Sequence, residues 1–220
     1  MNVLVFAFGL LSGFKHAFEP DHVLAVSTLL HREKKWSRAL RMGLAWGAGH
    51  TTTLTLAVLV VNTLRIELAS QWLPYFELPV ALMLLLLGGL ALRDTLRRLR
   101  HLHVHTHDGI PHAHVGSHPH PHTFPFLRQG WRGYLVGLVH GMAGSGALLL
   151  LVAATLPSRL QALGYALCFG AGSILGMGAI TTLLALPFQR FEQRPLIYNL
   201  LTGASGLLSI FLALYIFQTL

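Results

Sequence analysis

Of 220 residues, 53% are hydrophobic and only 11% are charged, and the mean hydropathy is +0.57. A soluble domain carries about a quarter charged residues, so this composition excludes an ordinary soluble fold and predicts an integral membrane protein. The net charge of +8 does not point to nucleic acid, because the basic residues sit in short segments between apolar runs, and the single cysteine, Cys168, excludes a disulfide framework or a thiol relay.

A membrane-crossing helix needs about 20 mostly apolar residues. Six stretches qualify: Asn2–Leu30, Ala39–Leu64, Leu73–Leu92, Trp131–Leu156, Leu160–Phe188 and Leu196–Gln218. The expected fold is therefore an all-α polytopic membrane protein, with three spans in residues 1–100, a histidine-rich loop over 101–127 and three spans in 128–220. Met1–Leu11 lacks a basic leader region and a small-residue cleavage site, so it reads as the start of the first span rather than a removable signal. Pro195 suits the first turn of the last helix. Thirteen basic residues fall on one side of the spans: Arg32, Lys34, Lys35, Arg38, Arg41, Arg93, Arg97, Arg98, Arg100, Arg128, Arg132, Arg190 and Arg194. The other side has only Arg65 and Arg159. Positive-inside reasoning then predicts an inner-membrane protein with both termini outside and the long loop in the cytoplasm.

The first span holds the most informative segment, His16-Ala-Phe-Glu-Pro-Asp21-His22. Ionisable groups inside a span are costly and usually face a cavity or a partner. On an unbroken helix, Asp21 and His22 would lie roughly 140° and 240° around from His16 at about 100° per residue. Pro20 cannot donate to the His16 carbonyl and crowds that turn, so a break is expected there. Such a break would bring His16, Asp21 and His22 onto one centre and free the His16 carbonyl. Imidazole with a carboxylate suits nickel, cobalt, zinc or copper, whereas calcium and magnesium prefer oxygen alone. Without nearby cysteine or clustered methionine, copper(I) is disfavoured. Lys15 and Glu19 are one turn apart and are expected to pair, with Glu19 a charge partner first and a ligand second. A polar network locking helices together, or a proton relay without metal, would use the same groups; two histidines and an aspartate exceed what packing requires.

In the second span, His50 precedes Thr51-Thr-Thr53 and is either a ligand or an interhelical hydrogen-bonding group, with Thr51 a pathway candidate. Glu77, between Pro74 and Pro79, reads as a solvated charge at the outer membrane edge. The loop carries His101, His103, His105, His107, His112, His114, His118, His120 and His122 among prolines. That composition predicts disorder without metal and low-specificity metal capture. In the fourth span, His140-Gly-Met-Ala-Gly-Ser145-Gly offers a further ligand and, in Ser145, a pathway group; its glycines weaken the helix or permit close packing. Asn199, Thr202 and Ser205 form a modest stripe that reads as helix packing.

Two strings recur at nearly one offset. Trp46-Gly-Ala-Gly-His50 returns as Phe169-Gly-Ala-Gly-Ser173, 123 residues later, and Gly13-Phe-Lys-His16 as Gly137-Leu-Val-His140, 124 residues later. With three spans per half, duplication implies inverted repeats, a transporter architecture with its site near the midplane.

The first-span segment resembles the His, four residues, Asp, His pattern of the nickel/cobalt transporter (NiCoT) superfamily. Its His-Ala-x-Glu-Pro-Asp-His form, followed by Ala25-Val-Ser27-Thr28, is similar to the UreH-type branch, as are Gly137-Leu-Val-His140-Gly-Met-Ala-Gly-Ser145 and the His50 region. The resemblance implies a six-span permease for Ni2+ or Co2+, with Zn2+ a further candidate, often serving urease or other nickel enzymes. It assigns His16, Asp21 and His22 to the metal site, with His50 and His140 beside them. Many uptake members have eight spans and efflux relatives carry histidine-rich loops, so either direction of transport remains open.

The expected function is translocation of a divalent transition-metal ion, with the two halves rocking to open each side in turn. There is no Walker A sequence, no cofactor is required, and no enzyme activity is expected. An intramembrane zinc hydrolase is disfavoured because the His-Glu-x-x-His spacing is absent. The expected partners are membrane lipid, the ion itself, and a cytoplasmic metallochaperone or nickel-enzyme maturation proteins. The alternative is a membrane-bound metallochaperone or sensor that binds metal without moving it, with the loop as its active part.

Overall fold

The protein is described from a computed structural model that covers residues 3–31, 33, 35–64, 74–100, 102–107, 110–115, 129–141 and 145–220. Side chains at 102–107, 110–115, 129, 145–148 and 151 are outside that description.

The chain opens with two short helices, α1 (Val3–His16) and α2 (Pro20–Leu30). The break between them falls where Pro20 predicts it. A residue before proline is driven out of the helical region, and Glu19 is extended, with φ −63° and ψ 148°. Pro20 itself becomes the first residue of α2, where its missing N–H costs nothing. One expectation is corrected here. The His16 carbonyl is not freed, because the Glu19 N–H donates to it at 3.0 Å. The turn satisfies its own backbone, and what it delivers is side chains.

The long helix α3 (Trp36–Leu64) follows. A 3-10 turn at Pro74–Glu77 then runs into α4 (Leu78–Arg100). The third span was expected to stop at Leu92; α4 continues to Arg100, with Arg97, Arg98 and Arg100 in its last turn, where cations complement the helix dipole. Beyond it, the backbone of β1 (Leu102–His107) pairs antiparallel with β2 (Ile110–Val115), with Leu102 opposite Val115, in a segment whose composition predicts no order without metal. The expected fourth span is divided like the first, into α5 (Gln129–His140) and α6 (Ser145–Thr155). Two long helices complete the chain: α7 (Arg159–Arg190), capped by the Ser158 hydroxyl accepting from Gln161 N at 3.2 Å, and α8 (Pro195–Thr219).

The described architecture outside the short ribbon is helical, and four of the helical segments are long and apolar enough to cross a membrane: Trp36–Leu64, Pro74–Arg100, Arg159–Arg190 and Pro195–Thr219. Their outward faces are apolar, with Leu56, Leu59, Leu86, Leu167, Leu183 and Phe211 each at least half exposed. A belt of this size would drive a soluble monomer to associate; it is the surface a lipid-facing protein presents.

Close seams hold the bundle together, α1–α7 and α3–α5 among them. α1 packs on α7, and α3 packs on both α5 and α7. A Cβ added at Gly13 would run into the carbonyl oxygen of Phe169, and one at Gly172 into that of Leu10. Across the other seam, a Cβ at Gly137 would strike the carbonyl of Trp46, and one at Gly49 that of Tyr134. Only glycine lets these backbones approach so closely, which is the usual basis of helix association in lipid. The remaining long helices, α4 and α8, pack on each other, and α2 lies against α4, α7 and α8.

Candidate metal centre

Four helices deliver the centre. α1 ends on His16, α2 begins with Asp21 and His22 in its first turn, α3 carries His50, and α5 ends on His140. The Pro20 turn thus does what the segment's spacing required: it reverses the helical phase and puts His16 and His22 side by side, with ring centroids 4.3 Å apart. The α3–α5 seam brings in His50 and His140 from distant sequence. The His22 and His140 rings are 4.0 Å apart, and the His16 and His50 rings 4.8 Å apart. All four histidines are at most 1% exposed.

Hydrogen bonds fix how these rings face. An ionised carboxylate can only accept, so a ring nitrogen against it carries the hydrogen. His16 Nδ1–H donates to Glu19 Oε2 at 3.0 Å, which leaves Nε2 as the lone-pair nitrogen. His16 Nε2 then accepts from His50 Nε2–H, 3.0 Å away. Asp21 is held on both oxygens: His22 Nδ1–H donates to Oδ1 at 3.1 Å and His140 Nε2–H to Oδ2 at 2.8 Å. A carboxylate at this depth needs such partners, since an unpaired one would be expelled or neutralised.

Three ring nitrogens remain over. His22 Nε2, His50 Nδ1 and His140 Nδ1 are buried and have no hydrogen-bond partner among the described residues. A network built only to lock helices would satisfy its polar atoms, because each orphan costs about 1–3 kcal/mol. Bare imidazole nitrogens on rings backed by a carboxylate, as those of His22 and His140 are by Asp21, instead suit a metal ion, since the carboxylate orients the ring and raises its basicity. Two groups of candidate ligands satisfy the geometry, His16 with His22 and His50, and Asp21 with His22 and His140. Within each group the ligand atoms lie within 4.8 Å of one another, and His22 belongs to both.

The other candidates are placed as follows. Glu19 stands behind His16, and Lys15 is exposed in the last turn of α1. Thr51 does not face the histidines; its hydroxyl donates to the Gly170 carbonyl at 3.2 Å and stitches α3 to α7. The Ser145 side chain and those of the nine loop histidines lie outside the described residues.

Three contributors escaped the sequence reading. Trp46 stacks on His22, with centroids 5.6 Å apart and planes 18° from parallel. Its position four residues before His50, on the same face of α3, was the available signal. Phe169 packs on His16 at 5.4 Å. Glu77 is the third. It lines a cavity of about 200 Å³ together with Glu19, Pro20, Asp21 and Val80, closed on the far side by Leu212 and Ile216 of α8. The cavity reaches the centre at Asp21.

Comparison with known proteins locates the chain among relatives. It is 32% identical over 205 residues to the urease accessory protein UreH of Bacillus sp. (strain TB-90), covering 93% of this chain and 86% of that protein. It is 27% and 26% identical to the Arabidopsis thaliana chloroplast proteins FOR GROWTH AND FERTILITY 1 and 2, covering 94% of this chain but only 56% and 54% of theirs. No family model matches the chain, and no solved structure matches it.

Proposed function

We propose that this chain, which belongs to the family of the urease accessory protein UreH, is a membrane permease of the nickel/cobalt transporter superfamily that carries Ni2+ or Co2+ through its buried histidine centre. One observation carries the proposal: four histidines and Asp21 converge from α1, α2, α3 and α5 inside an apolar bundle, with three ring nitrogens unused among the described residues. Borderline-soft divalent ions prefer imidazole nitrogen with a carboxylate for charge.

In this reading the divided helices are the first and fourth of six spans, and the molecule is an inverted repeat. The seams support that layout. Gly13 against Phe169 and Gly172 against Leu10 in one seam correspond to Gly137 against Trp46 and Gly49 against Tyr134 in the other, with every residue displaced by 123 or 124 positions. Broken helices at the interface of two repeats are where transporters place their substrate. The side bearing Glu77 and both chain termini would be outside, with the loop in the cytoplasm. The ion would lose water in the carboxylate-lined cavity and exchange it for Asp21 and histidine. A nickel-enzyme maturation protein is the natural recipient, given the relative's role as a urease accessory protein.

The test is uptake into sealed proteoliposomes holding a divalent-metal-sensitive dye. Wild type should admit Ni2+ or Co2+, His22→Ala should not, and a chain with the nine loop histidines replaced by serine should still transport. Intact metal binding without flux under any imposed gradient would overturn the permease reading in favour of a membrane-bound chaperone or sensor.

A further inference from the structure

The five candidate ligands fall into two groups that share His22, and we infer that they form two successive positions for the same cargo, with His22 as the pivot passed from one to the other. This deepens the permease reading and rests on its assignment of the metal site. The outer position is Asp21, His22 and His140; the inner is His16, His22 and His50.

Two observations order the two. The cavity lined by Glu19, Glu77 and Asp21 contains one member of the outer group, Asp21, and no member of the inner group, which it approaches only through Glu19 behind His16. His22 faces both ways: Nδ1 is turned to Asp21 at 3.1 Å, and Nε2 is the orphaned nitrogen left for His16 and His50. An ion arriving from the cavity therefore meets Asp21 first.

The hydrogen pattern shows why such a transfer is two-step. In the inner position His16 and His22 both hold their hydrogens on Nδ1, against Glu19 and Asp21; His22 Nε2 has no partner among the described residues, and His16 Nε2 accepts from His50 Nε2–H, a hydrogen that an ion there would displace. In the outer position the His22 Nδ1 and His140 Nε2 hydrogens fill the space against Asp21. A neutral imidazole binds metal through one nitrogen and keeps its hydrogen on the other. When the ion sits outside, His22 carries its hydrogen on Nε2. As the ion moves inward, Nε2 hands its proton to a water of the ion's hydration shell and water returns one proton to Nδ1, so the number of protons and the ring's charge are unchanged and the Asp21 bond re-forms behind the departing ion. Two dications on opposite edges of one ring would repel strongly at this depth, so the positions fill one at a time.

The experiment is Co2+ titration in detergent of the full-length chain with the nine loop histidines replaced by serine, read by the cobalt ligand-field spectrum and by X-ray absorption. One Co2+ per chain is expected, with a spectrum mixing two environments. His140→Ala should keep one Co2+ in an all-histidine shell, and His50→Ala should keep one with carboxylate oxygen. The double variant and His22→Ala should each weaken binding by about a hundredfold or more. His140→Gln and His50→Gln replace the alanine variants should those fail to fold. Loss of binding in either single variant as complete as in His22→Ala, or identical spectra from the two, would mean one five-ligand centre and would overturn the inference. Two distinct environments in a protein that moves no ion across a vesicle would uphold the two positions while removing the permease reading.

Discussion

The two helix breaks make the most instructive comparison in this molecule. On the proposed repeat α1/α2 and α5/α6 correspond, and the residues that set the α1–α7 seam have counterparts 123 or 124 positions away in the α3–α5 seam. Their chemistry is unlike. The first break spends His16, Glu19, Asp21 and His22 on the centre; at the second, His16 has its counterpart in His140, but Glu19, Asp21 and His22 are matched by Ala143, Ser145 and Gly146. Likewise His50 is matched by Ser173, whose hydroxyl donates to the Gly13 carbonyl at 3.2 Å and bonds α7 to α1. On the proposed repeat, the frame is doubled while the candidate ligands are nearly all in one half. Packing positions tolerate one solution twice, whereas the donors for an ion need be supplied only once.

That contrast can be broken most sharply at the matched pair His50 and Ser173. His50→Ala should cut Ni2+ or Co2+ uptake on the order of a hundredfold, while Ser173→Ala should leave uptake within about twofold and cost roughly 1 kcal/mol of stability. Equal loss of uptake in both, measured in proteoliposomes, would mean that function is doubled as well. The frame is tested by Gly13→Val and Gly137→Val. Each should destabilise the protein by about 1–3 kcal/mol, and by similar amounts, in thermal unfolding in detergent; a large effect at one position alone would deny the correspondence. A smaller effect is expected at Glu19→Ala, which removes the carboxylate behind His16 while sparing every ligand, and should weaken Co2+ affinity roughly tenfold in a titration.

The smallest effect lies away from both breaks. Glu33 follows α2, and burial raises its carboxyl above the ordinary carboxylate range despite the opposing charges of Arg38, Arg132 and Arg41. Its ionised form therefore opposes folding. That penalty is absent below the unfolded value of about 4.5, grows as pH rises toward the folded value, and is complete above it. Glu33→Gln should raise the melting temperature at pH 8, and the gain should vanish near pH 4. A gain that grew on acidification would contradict this sign.

Much of the centre was legible in seven residues. Pro20 announces the break, and two histidines with two carboxylates at membrane depth announce a ligand site. His50 and His140 were harder, because a lone histidine in a helix does not say which neighbour it meets. Their convergence depends on the α3–α5 register, set by Gly49 and Gly137 against carbonyls that no local pattern identifies. Glu77 read as a surface charge because its role needs α2 and α8 to close a cavity around it. Thr51, adjacent to His50, turned out to face α7, since one residue along a helix is about 100° away.

The glycine seams also govern which parts of the molecule can swing. On the proposed repeat each joins one helix from each half, α1 to α7 and α3 to α5, as does the α3–α7 contact, so the halves would be interleaved like the fingers of clasped hands. Rocking one half against the other would have to unzip all of these at once. A displacement that leaves them shut would carry α4 and α8, which pair with each other, together with α2, which packs on both and would have to slide on α7, past the interleaved core. Asp21 and His22 would travel with α2, while His16, His50 and His140 would stay behind. In the proposed permease, the cargo would then be let go by parting the jaws that grip it.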